Sequence, residues 1–160
     1  MIQEIRAIFD RIKFYDACPD CKGRCCYLPW ISKEECELVS LFGDAVEKVD
    51  NTNFFLNRKQ CKFLDNKGLC TIYDIRPLDC KLFPLDIIEQ EGSYYWCIFT
   101  TCLGWKEMTE LLKPIIPEIE SKITKELWLQ FKDQIAITKE IYAPYKNKQY
   151  VILQEFTKFS

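Results

Sequence analysis

The chain has 160 residues, of which 48% are hydrophobic and 14% aromatic, and its formal net charge is −2. This size and composition predict a folded domain with a hydrophobic core and exclude an intrinsically disordered chain. The near-neutral charge argues against an electrostatic nucleic-acid binder.

The first predicted element is an amphipathic helix in MIQEIRAIFDRIKF. Apolar residues at Ile2, Ile5, Ile8, Phe9 and Ile12 are interrupted by charged residues. A signal peptide would need an unbroken apolar stretch here, and no segment of the sequence approaches the ~18 apolar residues of a membrane span. The sequence therefore predicts a cytoplasmic protein that does not act at a membrane.

Cysteine is the residue type that stands out, with ten in the chain. Four lie in the stretch CPDCKGRCC, and the full set is Cys18, Cys21, Cys25, Cys26, Cys36, Cys61, Cys70, Cys80, Cys97 and Cys102. In the cytosol, clustered cysteines favour metal binding, whereas disulfides are the alternative for an exported chain. Because the chain has no histidine, a metal site must be built mainly from thiolates, which favour zinc, iron–sulfur clusters or copper(I).

A short capped helix is predicted in SKEECELVSLFG. Ser32 is a good N-cap residue, and Glu35 three positions later completes a capping box. Cys36, Val39 and Phe42 fall on one face of this helix. We therefore expect Cys36 to be a buried hydrophobic residue and not a ligand.

Two β-hairpins are predicted from the pattern of apolar runs and turn residues. CKFLDNKGLCTIY has apolar runs on either side of Asp65–Gly68, with Cys61 and Cys70 near the ends of the hairpin. FPLDIIEQEGSYYWCIF has its turn at Gln90 to Ser93, with Cys97 in the returning strand.

The segment DIRPLDCKLFP separates the two hairpins. Pro77 breaks regular structure there, so Cys80 is expected on a turn or a short helix. Arg76 has two interpretations: its guanidinium lies near anionic sulfur ligands, or it pairs with Asp74, Asp79 or backbone carbonyls of the turn. The second is favoured.

The sequence after Cys102 is mainly helical. ITKELWLQFKDQIAITKEIY carries apolar residues at steps of four, which predicts a helix from about Pro117 to Tyr142 with its apolar stripe in the core. The tail YVILQEF fits an edge strand or a helix.

These elements predict an α+β fold. It is a small cysteine-rich, metal-stabilised domain with short β-hairpins, flanked by an N-terminal helix and a long C-terminal helix. We expect one domain over residues 1–160, with a cysteine-cluster metal-binding part at 18–104 and a mainly helical part at 105–160.

The cysteine-bearing segments resemble a known family. CPDCKGRCC, the capped helix with Glu34 and Glu35, CKFL, GLCTIY, RP, CKLFP and CLG occur in this order between residues 18 and 104. They are similar to the cysteine-cluster proteins called YkgJ-like or CxxCxxCC. In this chain three residues, not two, separate Cys21 from Cys25, and Gly23 is expected to absorb the altered path.

The resemblance implies a zinc- or iron-chelating domain, and a related cysteine-cluster module occurs in flagellin lysine-N-methylase, which is associated with an iron–sulfur cluster. It implies eight ligands, enough for two four-thiolate sites. These are Cys18, Cys21, Cys25, Cys26, Cys61, Cys70, Cys80 and Cys102. Cys97 is a substitute ligand and Cys36 the least favoured. The cofactor implied first is an iron–sulfur cluster, including the 4Fe-4S type, and zinc is the alternative.

Several functions remain open from the sequence. The first is a metal-binding protein whose centre has a structural, redox or catalytic role. The others are an iron–sulfur enzyme that modifies a protein or peptide side chain, as the methylase resemblance implies, and a zinc-stabilised protein-interaction module. Thiol–disulfide exchange is disfavoured because no βαβ pattern surrounds Cys18 and Cys21. A protein or peptide is the expected partner, without nucleic acid.

Overall fold

The computed structural model describes residues 2–12, 20, 22–23, 29–43, 46–48, 54–56 and 61–159. In chain order its helices and strands are α1 (Ile2–Asp10), β1 (Trp30–Ile31), α2 (Lys33–Ser40), β2 (Val46–Lys48), β3 (Phe54–Leu56), α3 (Leu78–Leu82), β4 (Leu85–Gln90), β5 (Ser93–Phe99), α4 (Trp105–Leu112), α5 (Ile116–Lys122), α6 (Lys125–Ile141), α7 (Ala143–Lys146) and β6 (Tyr150–Glu155). Single 3-10 turns lie at Tyr73–Ile75 and Lys113–Ile115. The predicted α+β class is confirmed, with its N-terminal helix and its long C-terminal helix.

The chain divides into two compact units. The first consists of Met1–Tyr15 and Leu82–Ser160, and the second of Asp16–Lys81. We call the second the cysteine unit, because seven of the eight predicted ligands fall within its residue range and Cys102 belongs to the first. The assignment of residues 1–160 to one domain stays a prediction.

The first unit contains the predicted second hairpin. β4, β5 and β6 form an antiparallel sheet in that order, and Gln90 pairs with Ser93 across a two-residue turn. Glu91 and Gly92 both have positive φ, as a type I′ hairpin turn requires. Within the tail segment YVILQEF, Tyr150–Glu155 forms the edge strand β6.

The long C-terminal helix begins later than predicted. It starts at Lys125, and Ile116–Lys122 forms a separate helix. The break occurs because Thr124 is extended and its side chain accepts a hydrogen bond from the Leu127 N–H at 3.4 Å, which makes it an N-cap. The apolar stripe of α6 is buried as predicted, at Leu127, Trp128, Phe131 and Ile135.

The predicted amphipathic helix at the N-terminus is α1. It buries Ile5, Ile8 and Phe9. Within the first unit α1 contacts α5. Exposed ion pairs join Arg11 to Glu118 at 2.5 Å and Lys122 to Glu4 at 3.5 Å.

None of the helices in the described part of the chain combines the length and the apolar content that crossing a bilayer requires.

The cysteine unit contains a small sheet that the sequence did not indicate. β3 lies between β1 and β2, with Trp30 and Glu47 both paired with Phe55. Strands of two or three residues are too short to show an alternating pattern. Beside this sheet lies a group of buried side chains, which we call the buried cluster: Ile31, Val39, Phe63 and Ile72.

Candidate metal centre

The capped helix α2 forms as predicted at its start. Ser32 Oγ accepts a hydrogen bond from the Glu35 N–H at 3.2 Å, and Glu35 Oε2 accepts one from the Ser32 N–H at 3.1 Å. Cys36 is half-buried and packs against the buried cluster, beside the buried Val39. The prediction for Phe42 is wrong, since α2 ends at Ser40 and the Phe42 side chain is 56% exposed.

The Glu35 carboxylate also reaches a distant segment. Its Oε1 accepts a hydrogen bond of 2.6 Å from the backbone N–H of Leu78, the first residue of α3. This helix carries Cys80, so Glu35 fixes the N-terminus of an element that bears a predicted ligand. Sequence reasoning recognised Glu35 only as a local cap, because nothing in the local pattern indicates a partner so far along the chain.

A second carboxylate, on α3 itself, joins this helix to β1. Asp79 Oδ2 accepts a hydrogen bond from the Trp30 N–H of β1 at 2.8 Å. Burial raises the pKa of the Asp79 carboxyl to about 7; the hydrogen bond from Trp30 opposes this shift, and the nearby Glu35 charge adds to it. Glu35 and Asp79 together tie α3 to β1 and α2, which places Cys80 beside the buried cluster.

The predicted hairpin around Cys61 and Cys70 is shorter than expected. Its turn forms, but the flanking segments meet in a single antiparallel bridge between Leu64 and Cys70. The Thr71 N–H adds one hydrogen bond of 2.7 Å to Phe63 O, after which the chain enters the 3-10 turn at Tyr73–Ile75. The ladder stops there because that 3-10 turn replaces the extended conformation.

Three predicted ligands share one hydrophobic support. Cys61, Cys70 and Cys80 are all half-buried, and all three pack against the buried cluster although they lie far apart in the sequence. The exposed part of a half-buried thiol can reach a metal, while the apolar side chains behind it limit access of water. The donor chemistry at this surface is sulfur on an apolar support, which fits zinc or an iron–sulfur cluster and not magnesium or calcium.

Arg76 contacts an aromatic ring near the Cys80 helix. Its guanidinium carbon lies 3.8 Å from the centroid of the Tyr73 ring, and Tyr73 is 44% exposed. The sequence interpretation of Arg76 did not include the aromatic partner.

Cys97 has a different environment, in the first unit. It lies in β5 with 0% of its surface exposed and packs with Ile88 and Phe99. Burial raises the pKa of its thiol well above the usual range, and the charge of Asp86 acts in the same direction. Metal ligation needs the thiolate, which this environment makes costly, and the use of Cys97 as a substitute ligand stays a prediction.

The remaining predicted ligands differ in what the structure describes. Cys102 is half-buried in a turn after β5, where its carbonyl accepts the N–H of Trp105 at 3.2 Å at the start of α4. The four cysteines of CPDCKGRCC, which are Cys18, Cys21, Cys25 and Cys26, lie outside the described residues. Among the residues that are described, no group of three or more cysteine, aspartate or glutamate side chains is arranged to hold a metal ion.

The chain matches the model of one protein family. A model of the CxxCxxCC family, described as a "putative zinc- or iron-chelating domain", matches residues 17–102, which is more than half of the chain. The chain belongs to the CxxCxxCC family. The resemblance to the CxxCxxCC family is thereby confirmed, and the match runs from the residue before Cys18 to Cys102, so that it includes all eight predicted ligands. Neither the curated proteins nor the solved structures gave a match.

Replacing Glu35 by alanine is expected to destabilise the cysteine unit. The change removes the acceptor of the Leu78 and Ser32 N–H groups at a site with 5% exposure, and should lower the free energy of unfolding by about 3 kcal/mol. Urea unfolding followed by circular dichroism measures this. Glu34→Ala is the matched control, since Glu34 is exposed in the same helical turn and should change stability by less than about 0.5 kcal/mol. Equal effects of the two variants would contradict the role of Glu35.

The Cys97 thiol is expected to resist alkylation in the folded chain. Its raised pKa keeps it protonated at about pH 8, where an ordinary cysteine is partly ionised, and its burial excludes the reagent. Iodoacetamide labelling followed by peptide mass spectrometry should leave Cys97 unmodified until denaturant is added. The half-buried Cys36 serves as the comparison. Labelling of both residues at one rate in native buffer would show that β5 does not protect Cys97.

Proposed function

We propose that this chain is a metal-binding protein whose centre is held by the thiolates of Cys18, Cys21, Cys25, Cys26, Cys61, Cys70, Cys80 and Cys102, with an iron–sulfur cluster preferred to zinc. The observation that supports it most directly is the common packing of Cys61, Cys70 and Cys80 against the buried cluster. Membership of a zinc- or iron-chelating family supports the metal. The preference for iron rests on the resemblance to the methylase module.

The chemistry of the side chains supports a thiolate centre. The chain has no histidine, so neutral nitrogen ligands from imidazole are absent from its sequence. Thiolates are soft and anionic, and both zinc and iron–sulfur clusters are stable in four-thiolate coordination. An iron–sulfur cluster would supply redox chemistry at this position, whereas zinc would join the cysteine segments through its coordination bonds and stabilise their fold.

A zinc-stabilised interaction module is the second candidate, and exposed apolar side chains favour it. Leu41 and Phe42 follow α2 in the cysteine unit and are 78% and 56% exposed. Adjacent exposed apolar side chains of this size can contribute to a surface that contacts another protein. In this function the metal stabilises the unit, and the partner is a protein or a peptide.

Anaerobic purification followed by elemental analysis separates the two candidates. Iron with an equal amount of acid-labile sulfide, together with broad visible absorption, is the expected result and indicates a cluster. About two zinc ions per chain, without sulfide or colour, would favour the interaction module. A folded chain that takes up neither metal, even after reduction of its thiols and reconstitution, would contradict both.

Serine substitutions test the ligand set. Cys18→Ser, Cys21→Ser, Cys61→Ser, Cys70→Ser, Cys80→Ser and Cys102→Ser should each lower metal affinity by more than the roughly 10–100-fold that loss of an outer-shell partner causes. Cys36→Ser is the matched control, because Cys36 packs against the same buried cluster with the same partial burial but is not a predicted ligand. Metal content is measured per folded chain after gel filtration. Equal loss in Cys36→Ser would mean that disturbed packing, and not lost ligation, explains the series.

A further inference from the structure

Lys22 lies in close contact with Gly68 of the turn at Asp65–Gly68, and Gly23 with Leu64 directly before that turn. Lys22 and Gly23 have φ values of 51° and 69°. A Cβ on Gly68 would lie 2.6 Å from the Cα and 2.9 Å from the carbonyl carbon of Lys22. A Cβ on Gly23 would lie 2.5 Å from Leu64 Cδ1. At Gly68 a larger residue would collide with the backbone of Lys22, whereas at Gly23 it would displace the end of the Leu64 side chain.

The turn that contacts Lys22 is organised by its own hydrogen bonds. The Asp65 carboxylate accepts the N–H groups of Lys67 and Leu69 at 2.8 and 2.9 Å. The Gly68 N–H donates to Asp65 O at 3.0 Å, and the Asp65 N–H donates to Leu69 O at 2.9 Å. These four bonds lie within five consecutive residues, so the shape of the turn is determined locally.

This contact lies next to predicted ligands on both sides. Leu64, which faces Gly23, is paired with Cys70 in the antiparallel bridge, and its N–H donates to Cys61 O at 3.3 Å. In the sequence Lys22 directly follows Cys21, and Gly23 precedes Cys25 by two residues. The contact therefore joins chain positions adjacent to two groups of predicted ligands.

We propose that Leu64 and the Asp65–Gly68 turn together form a docking platform for the Lys22–Gly23 segment, and that Gly23 and Gly68 are positioning residues of the metal centre. This inference rests on the proposed function. The platform holds the chain beside Cys21 against the hairpin that carries Cys61 and Cys70 before the metal binds. Part of the ordering that metal binding would otherwise require is then complete in the metal-free chain, which raises metal affinity.

Gly68→Ala is the decisive variant, with Gly92→Ala as its matched control. The two glycines have nearly equal φ values, 80° and 85°, so an alanine is strained by the same backbone conformation at both. A Cβ at Gly92 meets nothing within 4 Å, whereas at Gly68 it meets the backbone of Lys22. The difference between the variants isolates the contact from the strain.

Two measurements on the full reduced chain report on the platform. Competition with a chromophoric chelator should show that Gly68→Ala lowers zinc affinity on the order of 10–100-fold, with Gly92→Ala unchanged. Cobalt(II) bound to Gly68→Ala should also show weaker thiolate-to-metal charge-transfer absorption, which counts coordinated sulfurs and does not respond to stability alone. Wild-type affinity and spectrum in Gly68→Ala, or equal losses in Gly92→Ala, would overturn the inference.

The metal-free chain provides a separate readout. A bifunctional thiol alkylator should join Cys21 or Cys25 to Cys61 or Cys70 in the wild type and in Gly92→Ala, and much less in Gly68→Ala. Equal cross-linking in all three, measured by peptide mapping, would overturn positioning before metal binding. A wild-type chain that binds neither zinc, cobalt(II) nor iron would overturn the proposed function itself, whatever the cross-links show.

If Gly68→Ala does not fold, Gly23→Ala provides the same test in a milder form. Its Cβ meets the end of the Leu64 side chain, which can move, and not a backbone atom. Removing that side chain with Leu64→Ala should make the effect of Gly23→Ala on zinc affinity smaller in the double variant than in the single one. An unchanged effect would show that Gly23 does not act through Leu64.

Discussion

The arrangement of the cysteine unit depends on the buried carboxylate of Glu35. Its two oxygens accept hydrogen bonds from Ser32 in its own helix cap and from Leu78 at the start of α3. Burying a carboxylate is costly unless hydrogen-bond donors surround it, so the contacts with Ser32 and Leu78 stabilise the folded unit. The same device occurs in the first unit, where Glu120 accepts the indole N–H of Trp96 and the backbone N–H of Lys158. In both cases a side chain on a helix fixes a segment distant in the sequence.

Local signals in the sequence were sufficient for several elements. The capping box at Ser32, the turn at Glu91 and Gly92 and the apolar stripe of α6 each result from interactions within a few residues, and each formed as predicted. The break before α6 also has a local cause, the N-cap Thr124, but the apolar period continues across it and hid it. Periodicity reports which face is buried and does not report where a backbone hydrogen bond is interrupted.

The features that the sequence did not reveal depend on partners far along the chain. β1 and β3 are too short to show a pattern, and their pairing brings Trp30 opposite Phe55. Gly68 lies in the turn that the sequence predicts, but its closeness to Lys22 follows from tertiary structure alone. For the candidate centre, the residue types and their family relationship could be read from the sequence, whereas the support behind Cys61, Cys70 and Cys80 could not.

Burial separates cysteines that composition alone treats as equal. Cys97 is enclosed by β-sheet and aromatic side chains, where a thiolate is unfavourable, while Cys61 and Cys70 keep part of their surface accessible. The contacts next to the accessible thiols involve the main chain. Glu35 accepts a hydrogen bond from the Leu78 N–H, Asp65 accepts one from the Leu69 N–H within its turn, and Gly68 lies close to the backbone of Lys22. Hydrogen bonds and steric fit of this kind do not require the charge of a metal ion. In the proposed arrangement these contacts position the thiol-bearing segments, and a bound metal would add further links between them.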